Sequence, residues 1–185
     1  MKQKPQITKT QTLAESRLFS IEKVSLEFSN GTLCDYERII ASSNGAVMIV
    51  PVLNSNTVIM IREYSVGTER YELVFPKGRM DNGENIEQAA NRELMEETGY
   101  GAQQLSHIHT MSIAPGYLGF DTYVVIAENL YEKKLEGDEP ESLDIVHCDL
   151  NNFDALIKQP ELTEARSIAA LYMVRDLLHN RKHHD

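Results

Sequence analysis

Carboxylates crowd one short stretch of this chain. Between Gly78 and Tyr100 it reads GRMDNGENIEQAANRELMEETGY, which brings Glu84, Arg92, Glu93, Glu96 and Glu97 into fixed register. Asn85 is placed to cap a helix N-terminus, with Gln88 three residues on to complete a capping box. Gly99 supplies the left-handed residue that ends such a helix. The spacing predicts a helix over 86–98, opened by an irregular glycine-containing loop. Residues three and four apart are neighbours on a helix, so Glu93, Glu96 and Glu97 share a face. Like charges at that spacing repel by roughly a few tenths of a kcal/mol per pair.

No lysine lies in this helix, and Arg92, its single basic residue, is expected to reach one carboxylate. Three carboxylates with one arginine suit a hard, oxygen-seeking divalent cation such as Mg²⁺. The other reading is a solvated acidic face set opposite the apolar stripe. At 100° per residue Glu97 lies about 60° from Leu94, at the edge of that stripe. Spacing alone leaves both readings open.

The elements that must position these groups are strands. Residues 18–28 alternate Val24, Leu26 and Phe28 with polar residues; Ser29-Asn30-Gly31 makes a turn, and 33–40 returns as a second strand. The stretch AVMIVPVL, 46–53, is too uniformly apolar to be half-exposed and is expected at the centre of a sheet. Strands follow over 57–62 and 70–75, the latter leading to Pro76 and Gly78, and after the helix over 105–113, 122–127 and 144–148. A short helix is expected over 152–158. A longer one over 163–180 has Ile168, Leu171, Val174, Leu177 and Leu178 as its packing stripe. Strands on both sides of a central helix, closed by a second helix, give an α/β (α+β) fold: an α/β/α sandwich with a mixed β-sheet, preceded by an N-terminal antiparallel hairpin. The domain organisation expected is an arm and hairpin over 1–43, one domain over 44–180, and a tail over 181–185. The first dozen residues read as a polar arm.

The net charge of −10 argues against nucleic-acid binding, which needs basic patches to neutralise phosphates. It leaves room for a small anionic substrate, provided cations bridge carboxylate to phosphate. No apolar run approaches the ~20 residues of a membrane span, and the polar N-terminus has no apolar core of a secretion signal. Cys34 and Cys148 lack CxxC spacing and read as free, buried thiols. The cytoplasm is the expected compartment.

The carboxylate stretch resembles the Nudix box, G-x5-E-x7-R-E-U-x-E-E-x-G-U with U aliphatic. Gly78, Glu84, Arg92, Glu93, Leu94, Glu96, Glu97 and Gly99 match it in spacing; Tyr100 departs from the last aliphatic position, where packing rather than chemistry is at stake. The resemblance implies the same sandwich architecture and hydrolysis of a nucleoside diphosphate linked to another group. It implies Glu93 and Glu97 as metal ligands, and Glu96 as a further ligand or catalytic group. The main-chain carbonyl of Lys77 or Gly78 would complete the shell, with an Arg92–Glu84 salt bridge orienting the glutamates.

The flanks narrow this. Arg62-Glu63-Tyr64, Glu72-Leu73, Pro76-Lys77-Gly78 and Ala114-Pro115-Gly116 resemble the ADP-ribose pyrophosphatase branch of the family, and Gly137 to Glu141 resembles its acidic loop. SRLFSIEKVSLEFSNG, IREYSVGTERYEL and LEGDEPE are similar to the members that hydrolyse ADP compounds. Such enzymes cleave ADP-ribose, NADH or diadenosine triphosphate and release AMP, with Mg²⁺ or Mn²⁺ as cofactor. By this resemblance Glu139, with Glu141 beside it, is a candidate catalytic base. Arg62 either binds phosphate or pairs with Glu63 or Glu72, Arg38 contacts substrate, and Phe19 either stacks on adenine or is a core aromatic. A homodimer is implied, and Lys77 is expected to bear on substrate preference. The alternatives are a nucleotide-sugar pyrophosphatase of different base preference and a non-catalytic ADP-ribose-binding Nudix protein.

Overall fold

A computed structural model describes residues 2–41 and 45–182. The chain divides into two compact units. The first holds residues 2–41 with Ser112–Asp121. Here β1 (Gln6–Glu15), β2 (Phe19–Glu27) and β3 (Leu33–Ala41) form an antiparallel three-stranded sheet in that order. The expected hairpin is β2–β3, paired from Phe19↔Ala41 to Glu27↔Leu33. Its turn is closed by the Gly31 N–H bonding to the Phe28 carbonyl at 2.8 Å, with Gly31 at φ 81°, where a side chain would be strained.

The expected polar arm is instead strand β1, paired with β2 from Gln6↔Glu27 to Glu15↔Ser20. Its sequence ITKTQTL alternates β-favouring residues, and an edge strand needs backbone partners rather than buried side chains; every residue of β1 is exposed. Cys34, expected to be buried, is exposed on β3 because a single three-stranded layer leaves surface uncovered. The loop of this unit joins the sheet where the Ile39 N–H bonds the Tyr117 carbonyl at 2.7 Å.

The second unit holds Gly45–Met111 and residues 122–182. Its elements are β4 (Ala46–Asn54), β5 (Thr57–Ser65), β6 (Arg70–Val74), β7 (Lys77–Arg79), α1 (Ile86–Thr98), β8 (Tyr100–Ser112), β9 (Asp121–Glu132), β10 (Asp144–Asp149), the single turn α2 (Phe153–Leu156) and α3 (Ala165–Lys182). The sheet order is β10-β5-β4-β9-β8, with β6 on β5 and β7 on β4. Strands β4 and β9 run parallel while β5 pairs antiparallel with β4, β6 and β10, so the sheet is mixed. The tail residues beyond Lys182, with His183 and His184, lie outside the described residues.

Strand β4 explains the sandwich. Side chains alternate across a strand. Val47 and Ile49 pack with Ala89, Ala90 and Leu94 of α1. Met48, Val50 and Val52 pack on the other face with Leu171, Val174 and Leu178 of α3. A strand buried on both faces has no polar positions to offer, which is why AVMIVPVL reads as continuous. Each such buried aliphatic is worth about 1.5–3 kcal/mol of transfer free energy.

One edge of β4 is taken by β9 over Ala46–Pro51. The other edge is shared: β7 pairs with Ala46–Met48, the Ile49 N–H bonds the Pro76 carbonyl at 2.8 Å, and β5 takes over from Val52. Pro51, which has no N–H to donate, sits at that handover. The irregular loop expected ahead of the helix therefore includes a short strand.

Candidate active site

Strand β7 brings a glycine against α1. Its register with β4, Met48↔Lys77 and Val47↔Gly78, turns Gly78 to the same face as Val47, which is the face α1 covers. A Cβ built on Gly78 would overlap the carboxylate of Glu93. The glycine is thus required by close approach, since its backbone conformation is not left-handed. The Lys77 N–H donates to Glu97 Oε2 at 3.1 Å, while its ammonium pairs with Glu63.

Helix α1 starts and stops where its sequence says. The Gln88 N–H donates to Asn85 Oδ1 at 2.8 Å, and the Asn85 N–H donates to Gln88 Oε1 at 3.0 Å. Gly99 adopts φ 76° and its N–H reaches the Met95 carbonyl at 3.2 Å. One face of the helix buries Ala89, Ala90 and Leu94 completely; Glu97 at its edge is only 6% exposed. A solvated acidic face is therefore not what forms.

Arg92 was expected to reach one carboxylate and reaches three. Its Nε and Nη2 donate to the two oxygens of Glu84 at 2.8 and 2.9 Å, and its Nη1 donates to Glu93 at 2.8 Å and to Glu96 at 3.0 Å. Five N–H donors in one plane make this possible. Nη2 also donates to the Arg79 carbonyl at 3.0 Å, tying β7 to the helix. The Arg92 guanidinium holds the Glu84 carboxyl below its usual range. Glu84 in turn accepts the Asp81 N–H at 2.9 Å and closes the loop between strand and helix.

These groups border a cavity of about 510 Å³. Glu93, Glu96, Glu97 and the Lys77–Arg79 strand form one side, and the 136–139 segment with Glu139 joins them. Burial pushes the Glu97 carboxyl up to about 8. Burial also raises Glu93, partly opposed by Arg92. Glu139 is exposed as a residue, yet partial desolvation of its carboxyl raises it, helped by the charges of Glu63 and Asp138.

Among the described residues no three acidic, histidine or cysteine side chains already close on one point as a metal cage. A closed cage is not needed for a cation such as Mg²⁺, which keeps several waters and takes one or two carboxylates. Glu93 and Glu97, one helical turn apart on the cavity side, carry ionisable oxygens in surroundings that resist ionisation unless positive charge arrives. The donor set fits a partly hydrated divalent ion.

A glycine strand seated on a glutamate, and a capped helix turning carboxylates into a polar cavity, are the physical content of the motif read from the sequence. The NUDIX domain model matches residues 43–171, and the chain belongs to the Nudix hydrolase family. Nudix hydrolases generally use divalent cations. A second model, the NudE-type Nudix hydrolase N-terminal domain, matches residues 5–38. The chain is 48% identical over 176 residues to the ADP compounds hydrolase NudE of Escherichia coli strain K12, covering 95% of this chain and 94% of that protein. It is 31% identical over 167 residues to an ADP-ribose pyrophosphatase of Bacillus subtilis strain 168, covering 86% and 89%. A crystal structure of ADP compounds hydrolase matches with a TM-score of 0.91 and 47% identity, over 98% of this chain and 97% of that one.

The remaining expected residues lie elsewhere. Arg62 on β5 pairs with Glu161 at 2.9 Å, not with Glu63 or Glu72. Glu72 is buried and bound by Arg70 at 2.7 Å and Thr163 at 2.8 Å. Glu141 accepts the Tyr71 hydroxyl at 2.6 Å and does not line the cavity. Arg38 forks onto Glu22 at 3.0 and 2.9 Å within the N-terminal sheet. Phe19 is 53% exposed, so the core-aromatic reading is excluded. Sequence reasoning missed Arg79, which borders the cavity and makes no ion pair with a described residue. Its position two residues after Lys77 on a strand was the available signal.

Proposed function

We propose that this protein hydrolyses the pyrophosphate linkage of ADP-linked compounds such as ADP-ribose, NADH and diadenosine triphosphate, releasing AMP, with Mg²⁺ or Mn²⁺. The observation that carries it is the cavity in which Glu93, Glu96 and Glu97 meet Glu139. The choice of ADP-linked substrates is supported by the names of the relatives, an ADP compounds hydrolase and an ADP-ribose pyrophosphatase.

Glu93 and Glu97, with Glu96 and the Lys77 main-chain carbonyl, would hold the cation. When bound, such an ion would supply charge neutralisation of the pyrophosphate and a more acidic attacking water. Arg92 keeps Glu93 and Glu96 on the cavity side and is itself fixed by Glu84. Glu139, or Glu96, takes the proton as water adds to one phosphorus, and the bridging oxygen leaves on the other phosphate. A carboxyl whose pKa is raised toward neutrality is matched to that task. The Arg79 guanidinium is available to a substrate phosphate. Arg38, Arg62 and Phe19 remain the proposed substrate contacts, through phosphate pairing and ring stacking.

The protein acts as a homodimer in the cytoplasm. The N-terminal unit supports pairing, with Leu33 70%, Tyr117 58% and Phe19 53% exposed. Sedimentation that finds only a 21.0 kDa species refutes the dimer. The activity is tested by incubating purified protein with ADP-ribose, NADH, diadenosine triphosphate and GDP-mannose in Mg²⁺. AMP release from the first three is expected; preference for GDP-mannose, or binding of ADP-ribose without turnover, overturns it.

A further inference from the structure

Residues 133–143 connect β9 to β10, and the sheet order places β4 and β5 between those strands. The connection therefore crosses three strand spacings, about 14 Å at ~4.8 Å each. A chain of that length extends to more than twice this distance at roughly 3.3 Å per residue. Chain length does not fix its path, so contacts must.

The contacts sit at its two ends. At the start, the Lys133 N–H donates to the Gly99 carbonyl at 2.9 Å and the Leu135 N–H to the Met95 carbonyl at 3.2 Å. The Lys134 ammonium donates to the Glu96 carbonyl. The Glu96 carbonyl is among those at the end of α1 that a helix leaves without partners, and a lysine there also suits the helix dipole. At the far end, the Tyr71 hydroxyl on β6 donates to Glu141 Oε1 at 2.6 Å, the length of a charge-assisted bond. The Tyr71 ring is set edge-on against Tyr64, with centroids 5.5 Å apart. Between these pins, residues 136–140 make no hydrogen bond with any described residue, and this is where Glu139 borders the cavity.

We propose that Tyr71 is a positioning residue: its hydroxyl, through Glu141, pins the 133–143 strap so that the Glu139 carboxylate is kept in the cavity bordered by Glu93 and Glu97. This rests on the reading of Glu139 as the proton acceptor. Tyr71 touches no reacting atom. It removes the strap's slack on the side that α1 does not hold.

The test is a double-mutant cycle in steady-state kinetics on the full chain, with ADP-ribose and Mg²⁺. Glu139→Gln lowers kcat by about 100-fold or more. Tyr71→Phe, which deletes one oxygen, lowers kcat by roughly 3- to 10-fold with KM within about twofold of wild type. In the Glu139→Gln background Tyr71→Phe adds no further loss, because the group it positions has gone. Glu141→Gln, whose amide oxygen still accepts the phenol hydrogen, retains most of the rate, while Glu141→Ala matches Tyr71→Phe. A melting temperature unchanged in Tyr71→Phe separates positioning from unfolding. If Glu139→Gln is slow but Tyr71→Phe is neutral, or slows both backgrounds equally, the pin is wrong and the reading of Glu139 stands. If Glu139→Gln keeps the full rate, the reading of Glu139 falls and the proposal falls with it.

Discussion

Helix α1 and the strap over 133–143 border one cavity, and they are held by different kinds of contact. The helix is fixed locally. Its caps are its own neighbours in sequence, its arginine binds carboxylates on the same helix and at its entry, and its apolar face is buried against β4. Among the described residues the strap's hydrogen bonds go to distant partners, Met95, Glu96 and Gly99 at one end and Tyr71 at the other. One wall carries its carboxylates on a single helix, tied by an arginine of that helix. The other carries Glu139 between two sets of hydrogen bonds, and the two can be broken separately.

The largest effect is expected at the helix wall. Glu97→Gln keeps the shape of a 6%-exposed side chain but removes the charge that a cation needs. It should cut kcat by about a thousandfold, the scale of several kcal/mol of lost charge stabilisation, with the fold intact by circular dichroism. Full activity in this variant would refute the ligand role. Gly78→Ala comes next. Its new methyl meets the far end of the Glu93 side chain rather than backbone, so the carboxylate moves and the fold survives. Turnover should fall by roughly a hundredfold, the cost of about 1 Å of misplacement, with little change in melting temperature. Arg92→Lys follows at about 10- to 100-fold, because an ammonium cannot replace a fork that holds three carboxylates at once. A rate near wild type would mean charge alone, and not the fork, orients the glutamates.

These residues also mark what a sequence exposes. The capping box, Gly99 and the glutamate face are short-range patterns, and they survive into the structure because one helix contains them. The double-sided burial of AVMIVPVL was likewise legible, since a strand covered on both faces has no alternation to show. Strand β7 was not, because a three-residue segment beginning after proline and centred on glycine reads as loop until β4 supplies its partner. Polarity hid β1, although its Thr-rich alternation carried β-propensity. Arg62 found Glu161, and Tyr71 found Glu141, across sequence distances that no local pattern spans. Reach also misled: a guanidinium counted as one charge was in fact several directional donors.

A pH experiment sharpens the comparison within the helix wall. Burial raises the Glu97 carboxyl to about 8 in the folded, metal-free protein, against about 4.3 for an unfolded glutamate. Between those values the folded state holds the extra proton, so stability declines as pH rises through this window and levels off above it. Chelator-treated protein should melt roughly 5 °C lower at pH 9 than at pH 6 on this account. Glu97→Gln should flatten the profile, and saturating Mg²⁺ should restore the melting temperature at high pH by favouring the ionised form. A profile that rises over the same window would contradict the burial of Glu97.

The smallest effect separates holding the wall from using it. Asn85→Ala removes the side chain that accepts the Gln88 N–H at 2.8 Å, leaving the start of α1 with an unmet donor. The loss should be about 1 kcal/mol, or roughly 2–4 °C for a chain of this length. Because Arg92 and Glu84 still tie the helix entry to β7, the glutamates keep their places and kcat should change less than about twofold. A large fall in kcat from this variant would mean that the cap, and not the arginine fork, sets the carboxylates. The contrast between a locally built wall and a pinned strap would then lie inside α1 itself.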